Sequence, residues 1–150
     1  MLCFVCDGDK VLLIEKKRGL GRGKVNGPGG RIEQGETALE AAIRETREEV
    51  GITPLNPRHV STIDFQFADG YALRCHVFLS DSHQGVAVET DEANPFWCSR
   101  SEIPFEKMWA DDRHWLPRVL AGETLRCRFH FDGDTMLAME IESMPVVHTI

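Results

Sequence analysis

The chain has 150 residues, 42% of them hydrophobic, and 24 acidic against 17 basic side chains, for a net charge of −7. That suits one domain, residues 1–150, with an ordinary core. The acidic balance speaks against a nucleic-acid polymer or an anionic membrane surface as partner, and no apolar run approaches the roughly 20 residues of a spanning helix.

The N-terminus MLCFVCDGDK has neither a basic flank nor a long apolar stretch, which predicts no signal peptide. Met1 stands at the edge of the first apolar run, where the pattern leaves room for a start further upstream. Leu2–Cys6 and Val11–Glu15 are short apolar runs split by Asp7-Gly8-Asp9, a strand pair about a turn. Five scattered cysteines, Cys3, Cys6, Cys75, Cys98 and Cys127, form no disulfide framework. Cys3-x-x-Cys6 lacks a second half for a zinc site, and free thiols fit the cytoplasm.

Residues 19–30 carry six glycines and Pro28 and read as a loop. Thr37–Val50 is predicted to be a helix, with Thr37 and Glu40 as a capping box and Gly51 as the stop. His59–Phe67 and Tyr71–Ser80 read as a hairpin, and Asn94–Cys98 as a further strand. Asp111–Ala121 reads as a helix bent by Pro117, its paired aspartates suiting a helix start. Thr124–Phe131 and Thr135–Ser143 form a second hairpin about Asp132-Gly133-Asp134. The sum is an α+β architecture, a mixed β-sandwich with one central and one late helix.

On a wheel of about 100° per residue, Leu39, Ala42, Ile43, Thr46 and Val50 form the sheet-facing stripe of the central helix. Glu45, Glu48 and Glu49 crowd a neighbouring arc, where they repel one another. A solvated acidic face is the ordinary meaning of such a run. A hard divalent cation taking the carboxylates as ligands is the sharper one.

The flanks decide between them. Gly30, Glu36, Arg44, Glu45, Glu48, Glu49 and Gly51 occupy all seven fixed letters of the pattern G-x5-E-x7-R-E-U-x-E-E-x-G-U. With each letter near 1 in 15, a chance match is of order 10⁻⁶. The chain thereby resembles the Nudix hydrolases, and departs from the pattern at Thr46, where an aliphatic residue is usual. The resemblance implies a Nudix fold, a mixed β-sheet sandwiched between helices (α/β/α). The residues make chemical sense unaided. Gly29-Gly30 permits close approach of backbone. The carboxylates suit Mg²⁺ or Mn²⁺, and Arg44 can orient them by charge-assisted hydrogen bonds.

Before that helix, Lys16, Lys17, Arg18, Arg22, Lys24 and Arg31 concentrate six basic charges with no acid among them. Their place suits steering of a polyphosphate, with Arg18, Lys24 and Arg31 as candidates.

A closer resemblance covers nearly the whole chain. The segments 16–27 and 102–112, together with His76-Val77-Phe78, Glu89-Thr90-Asp91-Glu92, and Trp115 followed by Pro117, are similar to the MutT-type oxidised-purine nucleoside triphosphatases, their animal members above all. The resemblance implies Mg²⁺-dependent hydrolysis to the monophosphate and pyrophosphate, with a monomeric nucleotide as partner and a monomeric enzyme. It implies metal ligation by Glu45, Glu48, Glu49, Glu92 and the Gly29 backbone, with Arg44 supporting. It places Asn26, Asp111 and Asp112 on the purine edge and Trp109 against the base. Leu20, Phe65, Phe67, Leu73 and Met108 would line the pocket, and Lys16 its rim. Leu20, Val25 and Pro28 stand where the animal enzymes carry aromatics, which implies a wider pocket. Converging carboxyls at 111 and 112 resist double ionisation, so one is expected to keep a proton and donate it to an oxidised base. Other Nudix substrates, such as a dinucleoside polyphosphate, a nucleotide sugar or a pterin triphosphate, satisfy the box equally. So does a non-catalytic nucleotide-binding domain, though the complete box speaks for an enzyme. His59, His76, His83, His114, His130 and His148 show no metal spacing.

Overall fold

The computed structural model describes residues 1–145; His148 lies outside them. Ten strands and two α-helices follow in chain order: β1 Leu2–Asp7, β2 Lys10–Lys16, β3 Val25–Asn26, α1 Ala38–Val50, β4 Thr53–Leu55, β5 Arg58–Phe67, β6 Ala72–Ser80, β7 Ser82–Gln84, β8 Ala93–Ser99, α2 Asp112–Leu120, β9 Thr124–Asp132 and β10 Thr135–Met144. The main sheet runs β10-β9-β5-β6-β1-β2-β3, with β8 along β2. It is mixed: β1–β6 and β5–β9 are parallel and the other pairs antiparallel. Strands β4 and β7 form a separate small ribbon.

The sheet forks at β1. This strand follows β6 from Leu2 to Val5, but meets β2 only at Cys6 and Asp7. Further along, Ile14 and Glu15 of β2 pair with β3, while β8 takes the whole of β2. The loop leading to α1 enters the fork. Cys3 N–H donates to Pro28 O (2.8 Å) and Gly30 N–H to Met1 O (3.0 Å).

Two cores follow from the alternation of strand side chains. Phe4, Cys6, Val11 and Leu13 pack with Trp115, Leu116 and Val119 of α2. Cys3, Val5, Leu12 and Ile14 pack with Ala41, Ala42 and Val50 of α1. Burial on both faces explains why these strands read as continuous apolar runs. The cysteines are free, and four of the five are buried.

Helix α1 begins on the expected capping box. Glu40 N–H donates to Thr37 Oγ1 (3.1 Å), and Thr37 N–H to the Glu40 carboxylate (3.0 Å). It ends at Gly51 in the left-handed region, φ 79°. Its buried face differs from the expected stripe. Leu39 is 42% exposed and Ile43 half-buried, whereas Ala41, Ala42, Thr46, Glu49 and Val50 are buried. The stripe is rotated because α1 turns two acidic side chains inward, which a purely apolar reading assigns to solvent. Thr46 satisfies its buried hydroxyl by donating to Ala42 O one turn back (2.7 Å). Helix α2 tolerates Pro117 within it.

Candidate active site

The site begins where the fork receives the glycine loop. A side-chain carbon on Gly29 would lie 2.2 Å from Met1 O, and one on Gly30 would lie 2.4 Å from the Glu45 carboxyl carbon. Only glycine lets the loop pass between β1 and α1. Gly29 N–H then donates to Glu49 Oε2 (3.0 Å), so loop and helix carboxylate fix each other.

Glu45 and Glu49, one turn apart on α1, meet Glu92 from the segment before β8. One oxygen from each lies within 4.8 Å of the others. Glu92 is held there by its neighbours: Thr90 Oγ1 donates to Glu49 O (2.7 Å) and accepts from Glu92 N–H (3.3 Å). Sequence reading missed this part of Thr90, because the contact spans 41 residues. Burial pushes the Glu49 carboxyl up to about 7, against the Gly29 hydrogen bond and the charge of Lys16; Glu45 and Glu92 add repulsion. Glu45 is likewise raised, first by burial and against Arg44. Three convergent carboxylate oxygens are a hard donor set, which suits a divalent cation such as Mg²⁺ or Mn²⁺ and not a soft metal.

Glu48 does not join the three. It is 55% exposed and accepts from Arg44 (3.1 Å). Arg44 spans the whole box. It donates to both oxygens of Glu36 (2.6 and 2.9 Å), to Glu45 (2.9 Å), and to the carbonyl of Arg31 (3.1 Å). The Arg44 hydrogen bond holds Glu36 down at about 2. Arg44 makes no ion pair with Glu40; Glu33 is a further, longer partner (3.7 Å).

The basic loop has partners far along the chain. Lys17 pairs with Glu89 (2.5 Å), Arg18 with Glu92 (3.1 Å), and Lys24 with Asp134 (3.4 Å). Arg18 and Lys24 were expected to await phosphate. Here both are engaged by acids, because the loop folds against the 89–92 segment and the β9–β10 turn. Arg31 contributes its carbonyl to Arg44.

The expected base-binding residues do not all line one cavity. Leu20, Phe67 and Trp109 line a cavity of about 350 Å³, together with Asp69, Tyr71 and Asp134. The last three went unnoticed in the sequence, where Asp69 and Asp134 read only as turn residues and Tyr71 as the start of a strand. Phe65 and Leu73 instead line a recess of about 380 Å³ on strands β5, β6 and β9, and Phe65 packs on Phe129 (5.9 Å). Met108 is buried, and Asn26 is half-buried with its side-chain oxygen accepting from Gly27 N–H (2.8 Å).

Asp111 and Asp112 are both buried, at 1% and 3% exposure. Asp111 stands at the start of α2 without capping it by its side chain. Its Oδ2 accepts from the Trp115 indole (2.8 Å) instead. Asp111 Oδ1 and Asp112 Oδ2 are buried with no partner. Burial raises both carboxyls, and the charge of Asp111 lifts Asp112 well above the ordinary range. The simple cap is therefore set aside: the two carboxyls are buried at the start of α2, and burial raises both.

A family model for the NUDIX domain matches residues 1–119. The chain belongs to the Nudix family. It is 39% identical over 137 residues to the oxidized purine nucleoside triphosphate hydrolase of Danio rerio, covering 91% of this chain and 88% of the relative. It is 36% identical over 145 residues to the mouse enzyme of the same name, covering 95% and 93%. The crystal structure of a MutT protein from Bacillus halodurans superposes with a TM-score of 0.83 at 30% identity, covering 94% of this chain and 95% of that one. The Nudix fold is thus the observed fold, with α1 and α2 on opposite faces of the mixed sheet. Among the described residues no helix is long and apolar enough to cross a membrane.

Proposed function

We propose that this Nudix protein hydrolyses oxidised purine nucleoside triphosphates to the monophosphate and pyrophosphate, using Mg²⁺ or Mn²⁺, and so clears damaged nucleotides from the pool. The carrying observation is one chain holding both a three-carboxylate group on a glycine loop and a buried Asp111–Asp112 pair with two unpartnered oxygens. The two zebrafish and mouse relatives carry that activity in their names.

Glu45, Glu49 and Glu92 would hold the cation, with Gly29 contributing backbone. When bound, it neutralises phosphate oxygens and acidifies a water. Arg44 keeps Glu45 in position against Glu36. Glu48, outside the group of three and bonded to Arg44, is the carboxylate left to accept the water's proton, since a metal-bound carboxylate is a poor base. Asp111 and Asp112 read the base. A normal purine that cannot pair with a protonated carboxyl would leave buried polar atoms unmatched, which is the strong form of discrimination. Trp109, beside Phe67 and Leu20, would stack on the base.

The test is pyrophosphate release from normal and oxidised purine deoxynucleoside triphosphates, with Mg²⁺, with Mn²⁺ and with chelator. The oxidised substrates should show a kcat/KM at least about tenfold higher, a difference of about 1.4 kcal/mol, and chelator should abolish turnover. Equal turnover of all purines would refute the substrate assignment, and turnover in chelator the cation.

A further inference from the structure

Lys24 has four neighbours, and together they define a strap. Its backbone is anchored at the sheet edge, where Lys24 N–H donates to Gly21 O (2.8 Å) and Lys24 O accepts from Lys16 N–H (3.0 Å). Its side chain leaves that edge and places the ammonium over the Trp109 ring, 4.9 Å from the centroid. The same ammonium pairs with Asp134 in the β9–β10 turn. The Trp109 ring is bounded elsewhere too. Buried Phe131 meets it edge-on (5.9 Å, 87°). Gly21 passes so close that an added side-chain carbon would lie 2.9 Å from the indole nitrogen.

From this geometry we infer that Lys24 is a positioning residue, which with Asp134 as its anchor holds the Trp109 ring at the mouth of the base cavity. Three separate pieces of chain meet here: the glycine loop, the segment before α2, and the second hairpin turn. None of them fixes an indole alone. A cation over a ring face attracts it through the ring quadrupole. The acid behind the cation keeps that cation from turning to solvent. Lys24 also precedes Val25 and Asn26 of β3, so the strap ties the strand bearing Asn26 to the residue proposed to stack on the base. The reading differs from phosphate steering, in which Lys24 would point at the triphosphate and Asp134 would oppose it.

The inference rests on the proposal that this site takes purine nucleotides, and the experiment keeps the two apart. Wild type, Lys24→Met, Lys24→Arg and Asp134→Asn are compared for triphosphate turnover, for affinity toward the phosphate-free 8-oxo-2′-deoxyguanosine, and for tryptophan emission. Trp109→Phe identifies the Trp109 contribution. Lys24→Met should raise KM and the nucleoside Kd by roughly three- to tenfold, leave kcat within twofold, and shift the Trp109 emission. Lys24→Arg should restore all three, because a guanidinium also stacks on the ring. Asp134→Asn should move nucleoside affinity in the same direction by less. Unchanged nucleoside affinity in both Lys24→Met and Asp134→Asn overturns the inference. So does a loss confined to phosphate-bearing ligands. Should Lys24→Met not fold, Asp134→Asn alone decides. Failure of wild type to turn over any purine triphosphate would refute the substrate reading, while the emission shift still tests the strap.

Discussion

Each face of the sheet buries acids, and the two faces treat them oppositely. On the α1 face every carboxylate of the box has a donor: Gly29 N–H for Glu49, and the Arg44 guanidinium for Glu36, Glu45 and Glu48. On the α2 face Asp111 and Asp112 each keep a buried oxygen without any partner. The wired cluster is fixed in place by its donors, although burial still raises Glu45 and Glu49. The unwired pair is raised by burial and keeps two oxygens unmatched. The lesson is that one sheet can fix its acids with donors on one face and leave them unmatched on the other.

The hardest blow to the wired side is Glu49→Gln. It should lower kcat on the order of 10²–10³-fold, the scale of losing one preorganised electrostatic group. Circular dichroism and the melting temperature should show the fold intact. Next comes Gly30→Ala. The new methyl would meet the Glu45 carboxylate. Displacing a positioned group by about 1 Å should cost roughly 10²-fold in kcat/KM, measured on the preferred substrate.

The unwired side is tested through pH. Asp112 is raised in the folded state, so folding retains a proton that the unfolded chain releases at about 3.9. Its contribution is fully present below that value and is lost as pH rises toward the folded one. Asp112→Asn should therefore flatten stability against pH and raise the neutral-pH stability by about 1 kcal/mol, the order of an unmatched buried acceptor. Urea midpoints between pH 4 and 8 check this. A mutant curve parallel to wild type would put the proton elsewhere. The smallest effect is Thr37→Ala. Losing the cap should cost about 1 kcal/mol, a few degrees in melting temperature, with kcat nearly unchanged.

What the sequence made legible follows from range. The capping box, the Gly51 stop and both hairpins depend on residues within a few positions, and they formed as read. The phase of α1 did not. Hydrophobicity alone put Leu39 inward, whereas Glu45 and Glu49 take that side because the loop and Glu92 await them. Strands β3, β4 and β7 are two or three residues long and carry no periodicity to detect. Lys24 and Asp134 are 110 positions apart, so the sequence does not reveal that Lys17, Arg18 and Lys24, three of the six basic residues in the run, are paired with acids.

The fork at β1 has a kinetic consequence. The amides of Cys3 and Gly30 are protected by bonds between β1 and the glycine loop, not by a neighbouring strand. The loop thus completes the sheet where β2 diverges. In hydrogen–deuterium exchange these two amides should open together with the central strands, at the free energy of global unfolding and not of loop fraying. The segment most exposed to the reaction would then be among the last parts of the molecule to come apart.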